Sequence, residues 1–358
     1  MTEVHVRLWR DLLYLLRSRW NHRLAEGGSL WFLRVKTLCV NVVRILLEER
    51  SVNDKTNTAP NKAIWNPTTH YDQPLRWRSP RRIFVRLADG DLFQESVPDA
   101  FIDRVLTVMT VTPHHTFYVL TQHPERMRTY FADPGLYRRV LHASNAVRQA
   151  YPKRDLDSIP ISNPASQFAP HIWWGVSIED QDSADQRIPP LLQIPVANHW
   201  VSAEPLLGPI DFAEVPVGMF GPLRPYQDTE HRAPRLKWVV VGGESGPNAL
   251  PMHPDWVTSL RDQCQAAGVP FFFKRWGAWL PANQNPEGNA LFQSLRLDDD
   301  HGRTRATPET VVGIDGGCLD ITHPRAFRIE RRPILTHRVG VLRAGSRLDG
   351  CVYQEYPQ

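Results

Sequence analysis

From residue 83 onward the chain repeats one unit: a short, nearly continuous apolar run that ends in polar residues, followed by a longer amphipathic run. No other feature restricts the fold as tightly. The apolar runs are IFVRL (83–87), TFYVL (116–120), HIWWGVSI (171–178), HWVSA (199–203), LKWVVVG (236–242) and VPFFFK (269–274). Runs of this length without alternation read as strands covered on both faces. The spans 98–110, 124–149, 182–193 and 254–267 read as helices. The last opens with Pro254-Asp255 and stops at Gly268, the usual start and stop signals. Strands alternating with helices predict an α/β fold with a parallel sheet. Six strands suit a complete or partial (β/α) barrel, with a doubly wound open parallel sheet as the alternative that periodicity does not separate.

In parallel α/β folds the carboxyl ends of the strands converge on one face, where ligands bind. The strand ends here carry Asp89 and Asp91, then Thr121 and His123, then Ser177, Glu179 and Asp180. Glu204 follows the fourth strand, Glu244 and Ser245 the fifth, and Lys274 closes the sixth. Singly, each is as well explained as a cap or loop group; Glu179 and Asp180 suit the first turn of a helix. Their joint placement makes Asp91, Thr121, Ser177, Glu179, Glu204, Gly242, Gly243, Glu244, Ser245 and Lys274 the candidate ligand-binding set. Within V-G-G-E-S-G-P (241–247), Gly242 and Gly243 would let backbone N–H groups approach a ligand while Glu244 offers a carboxylate. A tight turn explains the same glycines equally well. No G-x-G-x-x-G, Walker-type, H-E-x-x-H or G-x-S-x-G pattern occurs. His114-His115 reads as a polar loop before a strand rather than a metal pair. Trp173, Trp174, Trp238, Trp256, Trp276 and Trp279 flank the strand ends, suited to core packing or to an aromatic pocket for a nucleobase.

Four cysteines stand singly at 39, 264, 318 and 351, which argues against a disulfide framework and fits a reducing cytoplasm. Residues 1–50 hold nine Arg/Lys and five Asp/Glu, a net of +4 that equals the whole-chain excess of 42 minus 38. The remaining residues balance, so the main domain is not a basic nucleic-acid-binding body. Residues 4–20 and 30–47 are apolar but interrupted by charge, so neither reads as a transmembrane helix or a signal peptide. Three readings stand for this part: a basic amphipathic pair lying on a membrane or partner, a helical hairpin packed on the main domain, or translation from a start codon placed too early. The expected organisation is a 1–60 helical extension with a linker, a 61–280 barrel-like domain and a 281–358 loop-rich segment packed on it.

Several long segments resemble one family. They are WNPTT (65–69), PLRWRSPRRIFV (74–85), DLFQESVPDAFI (91–102), HTFYVLTQHPERM (115–127), WWGVSIEDQDSADQRIPPLL (173–192) and SAEPLLGPID (202–211). The stretch from Trp238 to Trp279 and RVGVLRAGSRLDG (338–350) continue the likeness, which spans residue 61 to the C-terminus. The chain resembles the phage gene-product 37/68 family, a domain of unknown function whose members look like radical S-adenosylmethionine (SAM) proteins. That resemblance implies a [4Fe–4S] cluster held by three thiolates, with SAM on the open iron. The departure falls at the decisive place: Asn66-Pro67-Thr68-Thr69 runs into His70-Tyr71-Asp72 and Pro74, and the segment that carries the family's cysteines is missing. No cluster is therefore expected in this chain, and the first strand–helix unit is expected to be lost with the cysteines. Gln122-His123 replaces a Lys-Arg pair, Val341-Leu342 stands where lysine is usual, and the 86–90 loop is one residue longer than the family's.

The resulting expectation is a radical-SAM-like scaffold of impaired catalysis that binds at most SAM or a nucleotide. The alternative is a non-catalytic nucleic-acid or partner-binding module of mobile-element origin, using the basic N-terminal segment. A decayed product that folds poorly and a cluster-independent hydrolase built on Asp91, Glu179 and Glu204 complete the field.

Overall fold

A computed structural model describes residues 62–87, 90–151, 169–217, 221–223, 235–285, 297–298, 304–305 and 309–357. The expectations for residues 1–60 and for Asp89 lie outside the described residues. The chain opens with β1 (Lys62–Trp65), a one-turn helix α1 (Gln73–Arg76) and β2 (Arg82–Val85). It continues through α2 (Asp99–Thr110), β3 (Thr116–Thr121), α3 (Pro124–Ala132), α4 (Leu136–Ala150) and β4 (Ile172–Ile178). Then follow α5 (Gln181–Leu192), β5 (Asn198–Ala203), β6 (Leu236–Gly242), α6 (Pro254–Ala267) and β7 (Phe271–Arg275).

The seven strands form one all-parallel sheet in the order β1-β2-β3-β4-β5-β6-β7. A doubly wound sheet reverses its strand order at a switch point. The strictly sequential order here has no reversal, so that alternative is set aside in favour of a curled half-barrel. Alternation along each strand separates two cores. The outward residues, among them Phe117, Val119, Trp174, Val176, Val201, Val239 and Phe271, join the helices in the larger core. Residues such as Ile102, Met127, Val140, Ile188 and Leu260, drawn from all the long helices, close over them. Each such burial contributes about 1.5–3 kcal/mol. The inward residues Tyr118, Trp173, Trp200, Trp238 and Val240 form a second cluster, joined by Phe84, Leu120, Phe272 and Tyr356 and, among the described residues, by none from a helix.

Three expectations need correction. The first strand is kept: β1 pairs in parallel with β2 through Lys62–Arg82 to Trp65–Val85, and only its helix shrinks to the single turn of α1. The turn closes locally, with the Trp65 indole donating to the His70 carbonyl and Asp72 accepting from Arg76 and Tyr151. The single helix expected over 124–149 is two, because Asp133-Pro134-Gly135 ends the first. Buried Asp103 then ties them together, accepting from the Tyr130 hydroxyl at 2.7 Å and the Arg139 guanidinium at 2.9 Å. Residue 280, the expected domain boundary, lies inside a strand. β8 (Trp279–Pro281), β11 (Glu309–Val312), β12 (Cys318–Leu319) and β13 (Ile334–Arg338) make an antiparallel sheet in the order β12-β11-β13-β8. Between β8 and β11 lies a small antiparallel pair, β9 (Leu297–Asp298) with β10 (Thr304–Arg305).

The C-terminal segment finishes the half-barrel. The Phe273 N–H donates to the Tyr353 carbonyl at 2.8 Å and the Glu355 N–H to the Phe271 carbonyl at 3.2 Å, laying this segment antiparallel against the free edge of β7. The Trp238 indole donates to the Glu355 carbonyl at 2.9 Å, and Tyr356 packs on Trp238 and Phe272.

Candidate functional site

The interior of the half-barrel is layered along the strand direction. Its middle is solid: Trp200 spans two strands, its indole shared between the carbonyls of Val119 and Trp173, both at 3.2 Å. Gly175 is the opposite half of that fit. A Cβ there would lie 2.5 Å from the Trp200 indole nitrogen, so no other residue fits without displacing the ring. Above this plug, toward the carboxyl ends, the inward positions turn polar. Ser177 pairs with Ser202 in register, and Glu179 and Glu204 leave the adjacent strands β4 and β5 one position beyond the Ile178–Ala203 pair.

Glu204 is the centre of the group. Its carboxylate accepts from the Lys274 ammonium at 2.6 and 2.9 Å, across the width of β6. Gly242 makes the room, since a Cβ there would stand 3.3 Å from the Glu204 carboxyl group. Burial alone would raise the Glu204 pKa, but Lys274, Arg275 and Lys62 outweigh it and hold the carboxyl below its usual range. Lys62, reaching in from β1, has its ammonium pushed down to about 8 by desolvation and by the charge of Lys274, with Glu204 opposing. Both partners of the ion pair still meet solvent, with 27 % of the Glu204 side chain and 33 % of the Lys274 side chain exposed. Glu179 adds a second carboxylate on the same strand face as Ser177. It is half-buried, and its side chain has no hydrogen-bonding partner among the described residues.

The other candidates are engaged with the protein itself. Asp91 accepts from the Phe93 N–H at 2.8 Å, the Thr121 hydroxyl at 2.8 Å and the Gln122 N–H at 2.5 Å, bracing the loop after β2 against the end of β3. Thr121 is thereby a link in that brace, and it also accepts from the His123 N–H. Asp180 caps α5 with Ser183 in a reciprocal capping box. Neither of the paired glycines takes a positive φ. Gly242 clears Glu204, and Gly243 lies against the backbone of β7's exit, where a Cβ would meet the Trp276 carbonyl at 2.0 Å. Glu244 accepts from the Leu250 N–H at 2.8 Å and closes the 245–250 turn, while Ser245 is exposed. Ser177, Glu179, Glu204, Gly242 and Lys274 thus come together, and Asp91, Thr121, Gly243, Glu244 and Ser245 hold the frame around them. Sequence reasoning missed Lys62, Trp200 and Gly175; the one visible signal was a glycine inside an otherwise apolar strand.

The tryptophans divide by face. Trp173 and Trp238 belong to the interior plug, Trp174 to the outer core beside Phe131, and Trp256, Trp276 and Trp279 each donate to a backbone carbonyl. His114 and His115 bond to backbone at Trp77, Pro74 and Arg81, as a structural loop.

The loop after β1, where the resemblance would seat an iron–sulfur cluster, offers Asn66, Thr68, Thr69, His70, Tyr71 and Asp72 and no thiol. Cys264 lies buried on α6 with its thiol pKa raised by desolvation, and Cys318 and Cys351 are exposed beyond β7. These residues do not fit thiolate ligation at that loop. Among the described residues no group of three or more His, Cys, Asp or Glu side chains could hold a metal ion.

The fold and the carboxyl ends of its strands define a half-barrel α/β protein with a Glu204–Lys274 ion pair above a packed aromatic interior. The chain belongs to the family described as Protein of unknown function (DUF5131), whose model matches residues 39–357. That match begins inside the 1–60 segment. No curated protein and no solved structure matches the chain.

Proposed function

We propose that this chain is a radical-SAM-like scaffold without the cluster cysteines, which binds SAM or a nucleotide in the carboxyl-end cleft and carries out no radical chemistry. The observation that carries the reading is the charge arrangement there. Glu204 is bound to Lys274 with Lys62 and Arg275 also bearing on it, while the Glu179 side chain has no hydrogen-bonding partner among the described residues. Three cations around one carboxylate leave positive charge for the carboxylate of SAM or the phosphate of a nucleotide. Glu179 suits an amine or a ribose hydroxyl at the other end of the same molecule. Such a split fixes the orientation of a zwitterionic ligand, which is how polar groups in a pocket confer specificity.

Equilibrium dialysis of the full chain with radiolabelled SAM, and separately with ATP, tests this. Saturable binding of one of them, weakened about tenfold or more in both Glu204→Gln and Glu179→Gln, is the expected result. Absence of saturation with either ligand, or binding untouched by both substitutions, would overturn it. Anaerobic reconstitution with iron and sulfide checks the other half: about four irons per chain with broad absorbance near 400 nm would refute the loss of radical chemistry. Salt-dependent nucleic-acid binding that vanishes on removing residues 1–60 would instead favour a nucleic-acid module.

A further inference from the structure

We propose that His253 is a proton-released latch, which holds the loops of the small antiparallel sheet against the amino end of α6 while neutral and frees them when it charges. The ring is fully buried at the cap position before α6. Both of its nitrogens are in use: Nδ1 accepts from the Asp255 N–H at 3.1 Å, and Nε2–H donates to the Arg332 carbonyl at 2.7 Å. One acceptor and one donor fix the neutral tautomer with its proton on Nε2. Arg332, two residues before β13, has φ 41°, a left-handed conformation that few residues other than glycine adopt. The bond from His253 meets the carbonyl of that residue.

A second contact from the same turn of α6 works beside it. The Trp256 indole donates to the Ile314 carbonyl at 2.8 Å. The Ile314 N–H donates to the Arg331 carbonyl at 2.7 Å and Arg331 pairs with Asp315 at 3.1 Å, so the 313–317 turn and the chain at 331–332 form one unit. Gly316 of that turn, with φ 82°, fits between the Trp256 ring and the Leu207 carbonyl, where a Cβ would stand 3.9 and 3.3 Å from them. Leu207 in turn donates its N–H to the Glu179 carbonyl at 2.7 Å. His253 and Trp256 thereby join α6, the small sheet and the loop that follows Glu204.

A proton on Nδ1 would face the Asp255 N–H, donor against donor, and would put a charge on a ring that is 0 % exposed. Burial pulls the His253 pKa below its usual 6.5, and the Arg332 charge adds to it; the Arg332 carbonyl, Asp255 and Asp315 oppose. The released ring takes up its proton near pH 6.5 and the latched ring only at lower pH. The latch is therefore at full strength above 6.5 and weakens as pH falls below it. The Asp255–Arg332 ion pair, at 3.7 Å and exposed on both sides, is too weak to replace it.

Hydrogen–deuterium exchange of the full chain without ligand, read by mass spectrometry, tests the proposal. Rates for peptides covering 253–260 and 313–332 are taken relative to intrinsic exchange at pH 7 and pH 5. The expected result is a severalfold rise in both at pH 5, at most about twenty-fivefold for one histidine, with none in α2. In His253→Gln, whose amide donates to a carbonyl and does not titrate, the rise should disappear. His253→Asn, which keeps the cap acceptor, takes its place if that variant does not fold. His323 and His337, in the same part of the chain, are unchanged in both variants, so their titration cancels. No rise in the parent, a rise that α2 shares, or an equal rise in the variants overturns the proposal. No SAM or nucleotide is added, so failure of either to bind leaves this result untouched.

Discussion

The two ends of the half-barrel interior treat charge in opposite ways. At the carboxyl end, Glu204 and Lys274 neutralise each other over one glycine, and Glu244 and Asp91 are held by backbone N–H groups. At the amino end, Arg82, Arg235 and Lys237 line a cavity that no acidic side chain lines among the described residues. Between them lies a plug of Tyr118, Trp173, Trp200, Trp238 and Phe272 that keeps the ends separate. A paired end loses stability when one charge is removed, because its partner is stranded. At the amino end the Lys237 ammonium donates instead to the neutral Asn198 side-chain carbonyl, so removing it strands no described carboxylate.

Removing the barrier should have the largest effect. Trp200→Ala takes out a 3 % exposed ring with two carbonyl contacts and should cost about 3–5 kcal/mol in urea unfolding. A loss below about 1 kcal/mol would mean that the two ends are not divided by a packed layer. The pH dependence comes next. His199 is buried at the start of β5, its Nε2–H donating to the Ile194 carbonyl at 3.1 Å, and burial pushes its pKa down to about 4 from 6.5. The unfolded chain takes up a proton near pH 6.5 and the folded chain only near 4, so this contribution is lost as pH falls across that window. At about 1.4 kcal/mol per unit, the loss approaches 3 kcal/mol. Unfolding curves at pH 7 and pH 4 should show it, and His199→Gln should flatten the difference; equal slopes in both proteins would remove His199 from the account.

The direct contrast is smaller. Glu204→Gln strands Lys274, whose side chain is 33 % exposed, so it should cost about 1–2 kcal/mol rather than the 3–5 of a sealed pair. Changing both to Gln and Met should recover most of that. Lys237→Gln at the other end should shift stability by no more than about 0.5 kcal/mol, and upward. Equal losses for the two substitutions would break the distinction between the ends.

Elements whose signals are local were legible. β4 and β6 are continuous apolar runs, and α6 begins on Pro254 and ends on Gly268, which takes the left-handed conformation at φ 65°. β1 was not, because its four residues include a lysine and follow a polar stretch; only pairing with β2 makes them a strand. The antiparallel sheet of β8, β11, β12 and β13 escaped for the same reason, being short strands joined across tens of residues. The candidate site was half legible. Strand ends point to one face in any parallel barrel, so Glu204 and Lys274 could be named. That they bond to each other across 70 positions, while Glu244 is taken up six residues away by Leu250, depends on side-chain reach that no spacing encodes.

The strip of chain at 353–356 along β7 has a consequence for synthesis. Strands β1 to β7 can pair in the order in which they leave the ribosome, each beside its predecessor. The edge of β7 cannot be covered until Glu355 exists, 117 residues after the Trp238 indole that it receives. Through that interval the nascent chain presents an open edge and an unsealed ring of aromatic side chains, the kind of surface that recruits chaperones or other nascent chains. A ribosome stalled just before residue 353 would hold that vulnerable form in place.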